Sequence, residues 1–246
     1  MSPKRWTLAL IVACVPALSL VVVAQQPNPF GEREAKRQVN IQDTDQVWAL
    51  DFRFKEPRLI TVDIPGKGKK VVWYMWYQVI NNTGEPRTFI PEFELVMLDK
   101  NASRKDVIIP KAQDAVKRLE DPSGYLDIKN SVTVASQPIP VTKPNSAPRP
   151  VTGVAIWDDV FGEMPDTTRF SIFVTGLSNG WSMVDKGPLR RKTLQLNFKR
   201  LSDRNHLDAE VKFVPPTEWL YRASNIVVPD EIKPKEEKAP EKAAEK

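Results

Sequence analysis

Residues Val71 to Asp99, VVWYMWYQVINNTGEPRTFIPEFELVMLD, decide the fold class of this chain. Val72, Tyr74, Trp76 and Gln78 share one parity, and Val71, Trp73, Met75, Tyr77 and Val79 share the other. Side chains alternate across a strand, so this run presents an apolar face on each side and both faces call for cover. Asn81 to Pro86 then supplies the amide side chains, the glycine and the fixed φ that a reversal uses. Beyond Arg87, the set Phe89, Pro91, Phe93, Leu95 and Met97 is more apolar than the set Thr88, Ile90, Glu92, Glu94, Val96 and Leu98. The expectation is a β-hairpin in the interior of an all-β domain.

The flanking sequence repeats the pattern. Val47 to Phe54 alternates Trp48, Leu50, Phe52 and Phe54 with polar or small residues, and Leu59 to Ile64 places Ile60, Val62 and Ile64 on one face. Further strands are expected at Lys105–Ile109, Val151–Asp159, Arg169–Leu177, Thr193–Leu201 and Leu207–Val214, with Glu218–Val228 closing the core. Lys111 to Glu120 has helical periodicity, with Ala112, Ala115, Val116 and Leu119 on one stripe behind Pro110. Residues 130–150 carry five prolines and read as a crossover between sheets, with an internal domain boundary as the alternative.

The ends of the chain are of a different kind. Lys4 and Arg5 precede an uncharged, largely apolar run from Trp6 to Ala24, so residues 1–24 read as an export signal cleaved near Gln25. Two alternatives are a retained membrane anchor, since the run reaches about 18 residues, and lipidation at Cys14. Residues 25–45 read as a polar linker, 46–228 as the β domain, and 229–246, rich in Lys, Glu, Pro and Ala, as a disordered tail. The expected location is therefore exported: periplasmic, envelope or secreted.

Composition excludes several chemistries. Cys14 is the only cysteine, so the mature domain has neither disulfides nor a thiolate nucleophile. His206 is the only histidine and falls in a polar turn, which rules out histidine clusters. The net charge of +5, from 36 basic and 31 acidic residues, is too mild and mixed for nucleic acid. The lysine-rich turn at Pro65–Lys70 lacks the P-loop spacing, and the chain calls for no cofactor.

Three constellations remain as candidates. Trp73, Tyr74, Trp76 and Tyr77 alternate along one strand, so two face each way; they are either core or a stacking surface for a ligand such as sugar. Asp158, Asp159, Glu163 and Asp166 offer oxygen ligands on a loop, a calcium set without EF-hand spacing. Glu92 and Glu94 project from one strand face, a carboxylate pair of the type glycosidases use, with Arg87 near enough in sequence to neutralise one.

About nine strands, turns between them and one short helix point to a two-sheet β-sandwich. A strand ending in NNTG and followed by TFIPEFELV resembles the immunoglobulin-like modules of uncharacterised secreted bacterial proteins, over Trp73–Asp99 and more loosely Thr152–Leu177. The resemblance implies a non-catalytic exported protein that binds or scaffolds a protein or polysaccharide partner. A carbohydrate-binding module using the strand aromatics, with calcium at the acidic loop, is the alternative reading.

Overall fold

The aromatic-rich run from Val71 to Ile80 becomes the organising strand. The computed structural model describes residues 31–158, 167–183, 187–200 and 210–223. The fourth strand, β4 (Gly68–Ile80), is rich in β-branched and aromatic residues and contains no proline. On one edge it pairs with β2 (Asp51–Phe54) and β3 (Arg58–Ile64), which follow one another end to end. A one-residue bulge at Lys55–Pro57 separates them, because Pro57 has no amide to donate. Pro65 and Gly66 (φ +76°) close the β3–β4 turn, with the Lys67 amide donating to the Ile64 carbonyl at 2.9 Å. On its other edge β4 pairs with β7 (Val151–Asp158), and β1 (Arg33–Ala35) completes this first sheet beside β2.

The second sheet has the order β11 (Val211–Ala223), β10 (Arg190–Arg200), β8 (Arg169–Thr175), β5 (Glu92–Met97) and β6 (Ala102–Lys105). A two-residue strand, β9 (Trp181–Ser182), continues the line of β8 along β10. All named pairings in both sheets are antiparallel.

The expected hairpin between β4 and β5 does not form, since the two strands belong to different sheets. Both edges of β4 are already taken, leaving β5 no ladder to join. The joining residues find other partners. Asn81 donates its side-chain amide to the carbonyls of Glu85 and Ile139 at 2.8 and 3.0 Å. Ile139 and Thr142 return their own amides to Arg87 and Asn81, both at 2.8 Å. The proline-rich stretch thus holds the corner that carries the chain between layers.

Between the sheets lies the main core. Trp73, Met75, Tyr77 and Val79 of β4, Phe52 and Phe54 of β2, and Ala155 and Trp157 of β7 meet Phe93, Leu95 and Met97 of β5, Phe170, Ile172 and Val174 of β8, and Leu194, Leu196 and Phe198 of β10. Rings of Tyr77 and Phe93 lie 4.9 Å apart, and those of Trp73 and Phe170 5.2 Å apart in edge-on contact. The other face of β4 forms a second cluster, Val72, Tyr74 and Trp76 with Val62, Val154 and Ile156, covered by Ala112 and Val116 of helix α1 (Pro110–Glu120). Glu120 fastens that helix, accepting from Tyr74 Oη and Lys55 Nζ, each at 2.8 Å. Leu119, expected on the buried stripe, is 54% exposed.

Tyr77 carries an anomaly. Its hydroxyl is fully buried and has no hydrogen-bond partner among the described residues, because it abuts Gly153, where an added Cβ would sit 2.4 Å from it. An unpaired buried hydroxyl costs about 1–3 kcal/mol. Tyr77→Phe is therefore expected to be neutral or to raise the urea midpoint, whereas a loss above about 1 kcal/mol would mean that the hydroxyl has a partner.

Residues 31–45, expected within a linker, are part of the fold. The segment leaves β1, crosses to the second sheet and is captured there by buried polar groups. Trp219 Nε1 donates to the Lys36 carbonyl at 2.9 Å and Asn40 Nδ2 to the Trp219 carbonyl at 2.7 Å. Lys192, with its side chain fully buried, donates to the Gln38 carbonyl at 2.7 Å and pairs with Asp43, which also accepts from Tyr221 Oη at 2.7 Å. Among the described residues no helix is long and apolar enough to cross a membrane; residues 1–30 and 224–246, with the expected leader and tail, lie outside them.

Candidate functional site: a charged cleft on the second sheet

The alternation that buries Phe93, Leu95 and Met97 turns Glu92 and Glu94 outward from β5. The same rule turns out Phe173 and Thr175 from β8, Arg191 and Thr193 from β10, and Arg222 from β11. Register brings them together, with Glu92 opposite Thr175, Thr175 opposite Thr193, Arg191 opposite Arg222 and Glu94 opposite Lys105. Glu92, Glu94, Lys105, Thr175, Arg191, Thr193 and Arg222 line a cleft of about 270 Å³.

Most charges in the cleft are already paired. Lys105 Nζ lies 2.6 Å from Glu92 Oε1, and Arg222 pairs with Glu94 while its guanidinium sits 4.1 Å from the centroid of Phe173. Burial by itself raises the Glu94 carboxyl, but the hydrogen bond and charge of Arg222 outweigh it and hold the group below the usual range. The hydrogen bond and charge of Glu92 raise Lys105. Thr175 and Thr193 share a hydrogen bond of 3.2 Å across the floor. Arg191 is the exception, with no acidic partner for its side chain among the described residues.

Trp181 stands beside this cleft. It is the cross-strand partner of Arg191, so both side chains leave the sheet on one face, and the indole is 56% exposed. Trp181, Arg191 and Arg222 thus form a row along the rim.

Other residues singled out in the sequence lie elsewhere. Trp73 and Tyr77 are in the core between the sheets, and Tyr74 and Trp76 are beneath α1, none more than 2% exposed. They cannot form a stacking platform, because β4 is covered on both faces. Asp158 is tied to Lys70 Nζ at 2.8 Å, while Asp159, Glu163, Asp166 and His206 lie outside the described residues. Among the described residues no group of three or more His, Cys, Asp or Glu side chains is placed to hold a metal.

Glu92 and Glu94 do share a face, as their spacing requires, but each is held by a cation from another strand. Arg87, expected to neutralise one of them, instead pairs with Glu85 at 2.7 Å and lies over the Trp48 ring. Asp106 sits nearby with its carboxyl raised by burial, against hydrogen bonds from Ser131 and backbone amides, but it does not line the cleft.

No family model, curated protein or solved structure matches this chain. Its site is therefore read from its own geometry. Lys105, Arg191 and Arg222 were missed in the sequence because they come from three strands up to 117 positions apart, although the parity of Thr193 to Lys199 already places Arg191 on the outer face.

Proposed function

We propose that this chain is an exported, immunoglobulin-like β-sandwich that acts by binding or scaffolding in the cell envelope or outside the cell, with no catalysis of its own. Its partner meets the outer face of the second sheet. The observation that supports this reading is the cleft, in which two tethered ion pairs hold the walls and Arg191 has no acidic partner among the described residues. An arginine prepared in this way recognises an incoming acceptor without first breaking an internal bond. The apolar run after Lys4 and Arg5 supports export.

Two measurements test this. A photo-crosslinking residue placed at Ala223, which lines the cleft without taking part in either ion pair, is expected to give a discrete adduct in cells that the same residue at Asp63, on the first sheet, does not give. Identical patterns from both positions, or none from Ala223, would remove the cleft as a binding face. Residues 1–26 fused to a reporter active only outside the cytoplasm are expected to give signal, and silence there would count against export.

A further inference from the structure

We infer that the cleft and Trp181 form a subsite for a carboxylate-bearing sugar, such as a uronic acid unit of an acidic polysaccharide. This deepens the binding reading above and rests on it. Three features of the rim and floor call for three different groups on one ligand. Arg191, a planar cation without an acidic partner among the described residues, matches a carboxylate through two parallel N–H···O bonds. Trp181, 56% exposed and directly across from Arg191, offers a flat apolar face to the C–H side of a sugar ring. Glu92 presents a carboxylate acceptor and Thr175 a hydroxyl, which hydroxyl groups of a ring can satisfy, above a Thr193 hydroxyl already held by the Arg191 carbonyl.

Charge decides between ligand classes. The lining carries three cations and two carboxylates, so a single acid group is balanced while a polyanion without hydroxyls would meet Glu92 and Glu94. A peptide strand binds chiefly by adding to a sheet edge through its main chain. The cleft lies instead on the sheet face, where the backbone groups of β8 and β10 are already paired with each other. A volume of about 270 Å³ accommodates a ligand unit of monosaccharide size.

The test uses the full-length chain and three probes: a trimer of galacturonic acid, a neutral galactose trimer and a glutamate tripeptide. The indole N–H resonance of Trp181, assigned by its loss in Trp181→Phe, is followed by NMR. The galacturonate trimer is expected to shift it, with affinity falling as salt rises. Arg191→Gln and Trp181→Ala, both titrated by calorimetry because the second lacks the reporter indole, are each expected to weaken binding about tenfold relative to the unsubstituted chain. Both positions are at the surface, and unchanged melting of the variants confirms intact folding. No shift with the galacturonate trimer up to about 10 mM, or binding by both variants as tight as that of the unsubstituted chain, overturns the inference. A response to the peptide alone also overturns the sugar while leaving a binding face in place. Silence with all three probes while position 223 still cross-links defeats only the sugar; silence in both experiments defeats the binding reading as well.

Discussion

Lys192→Ala is expected to lower the unfolding free energy by about 3–5 kcal/mol. At roughly 2–4 °C per kcal/mol for a chain of this size, the melting temperature falls by about 6–20 °C. Lys192 has no exposed side-chain surface and the Asp43 carboxylate is 3% exposed, so removing the lysine strands a buried charge. The same change frees the Gln38 carbonyl and with it the segment lying across β10 and β11. Desolvating two charges is costly, so the pair itself is a weak source of net stability. A double variant, Lys192→Met with Asp43→Leu, is accordingly expected to recover much of the loss. A single-variant loss below about 1 kcal/mol would place the pair at the surface instead of in the fold.

The pair also sets a pH dependence. Burial would raise the Asp43 carboxyl, but hydrogen bonds from Lys192, Tyr221 and the Asn40 amide, with the lysine charge, outweigh it and leave the group below its ordinary value. Its contribution is complete above about pH 4, the unfolded value, and is lost as pH falls through the lower folded value. Glu94, depressed beside Arg222, acts in the same direction. Asp106, raised by burial, acts in the opposite sense, stabilising the fold as it takes up its proton. In Asp43→Asn the acid side of the stability curve is expected to be shallower, and an unchanged slope in urea titrations would show that Asp43 is not linked to folding.

Period-two parity carried most of what could be read without coordinates. It divided β4 into the two faces that pack on the second sheet and under α1, and it separated Leu194, Leu196 and Phe198 from Gln195 and Lys199 on β10. Parity says which way a side chain points and nothing about which strand lies alongside. Asn81 to Pro86 therefore looked like a hairpin turn, although Asn81 bonds not only to Glu85 but also to residues 139–142, more than fifty positions away. For the same reason Lys192 gave no sign of burial, since Asp43 lies 149 positions earlier. The four aromatics of β4 were visible as a cluster, but only the placement of α1 and β7 decides that both faces are covered. Trp181, in contrast, follows Gly180 in a short segment with no alternation to assign it a face.

Gly176→Ala is expected to cost about 3–5 kcal/mol and to weaken the cleft together with the fold. Gly176 ends β8 at φ +96°, a conformation that side chains with a Cβ rarely adopt, and an added Cβ would fall 2.1 Å from the Ile90 carbonyl oxygen. That neighbour is backbone and cannot swing aside, so either the end of β8 or the chain leading into β5 must move. Glu92 begins β5 two residues after Ile90, and Thr175 precedes Gly176, so the displacement falls on two walls of the cleft. Gly66→Ala provides the control. Its φ is +76° but nothing lies within 4 Å of the added Cβ, so only the backbone cost of about 1 kcal/mol applies. Urea unfolding of the two variants separates conformational strain from steric contact: similar losses would mean that the approach of Ile90 to Gly176 is looser than the packing requires. A large loss for Gly176→Ala accompanied by an unmoved Trp181 indole resonance would confine the damage to the Ile90 side, away from the row of Trp181, Arg191 and Arg222.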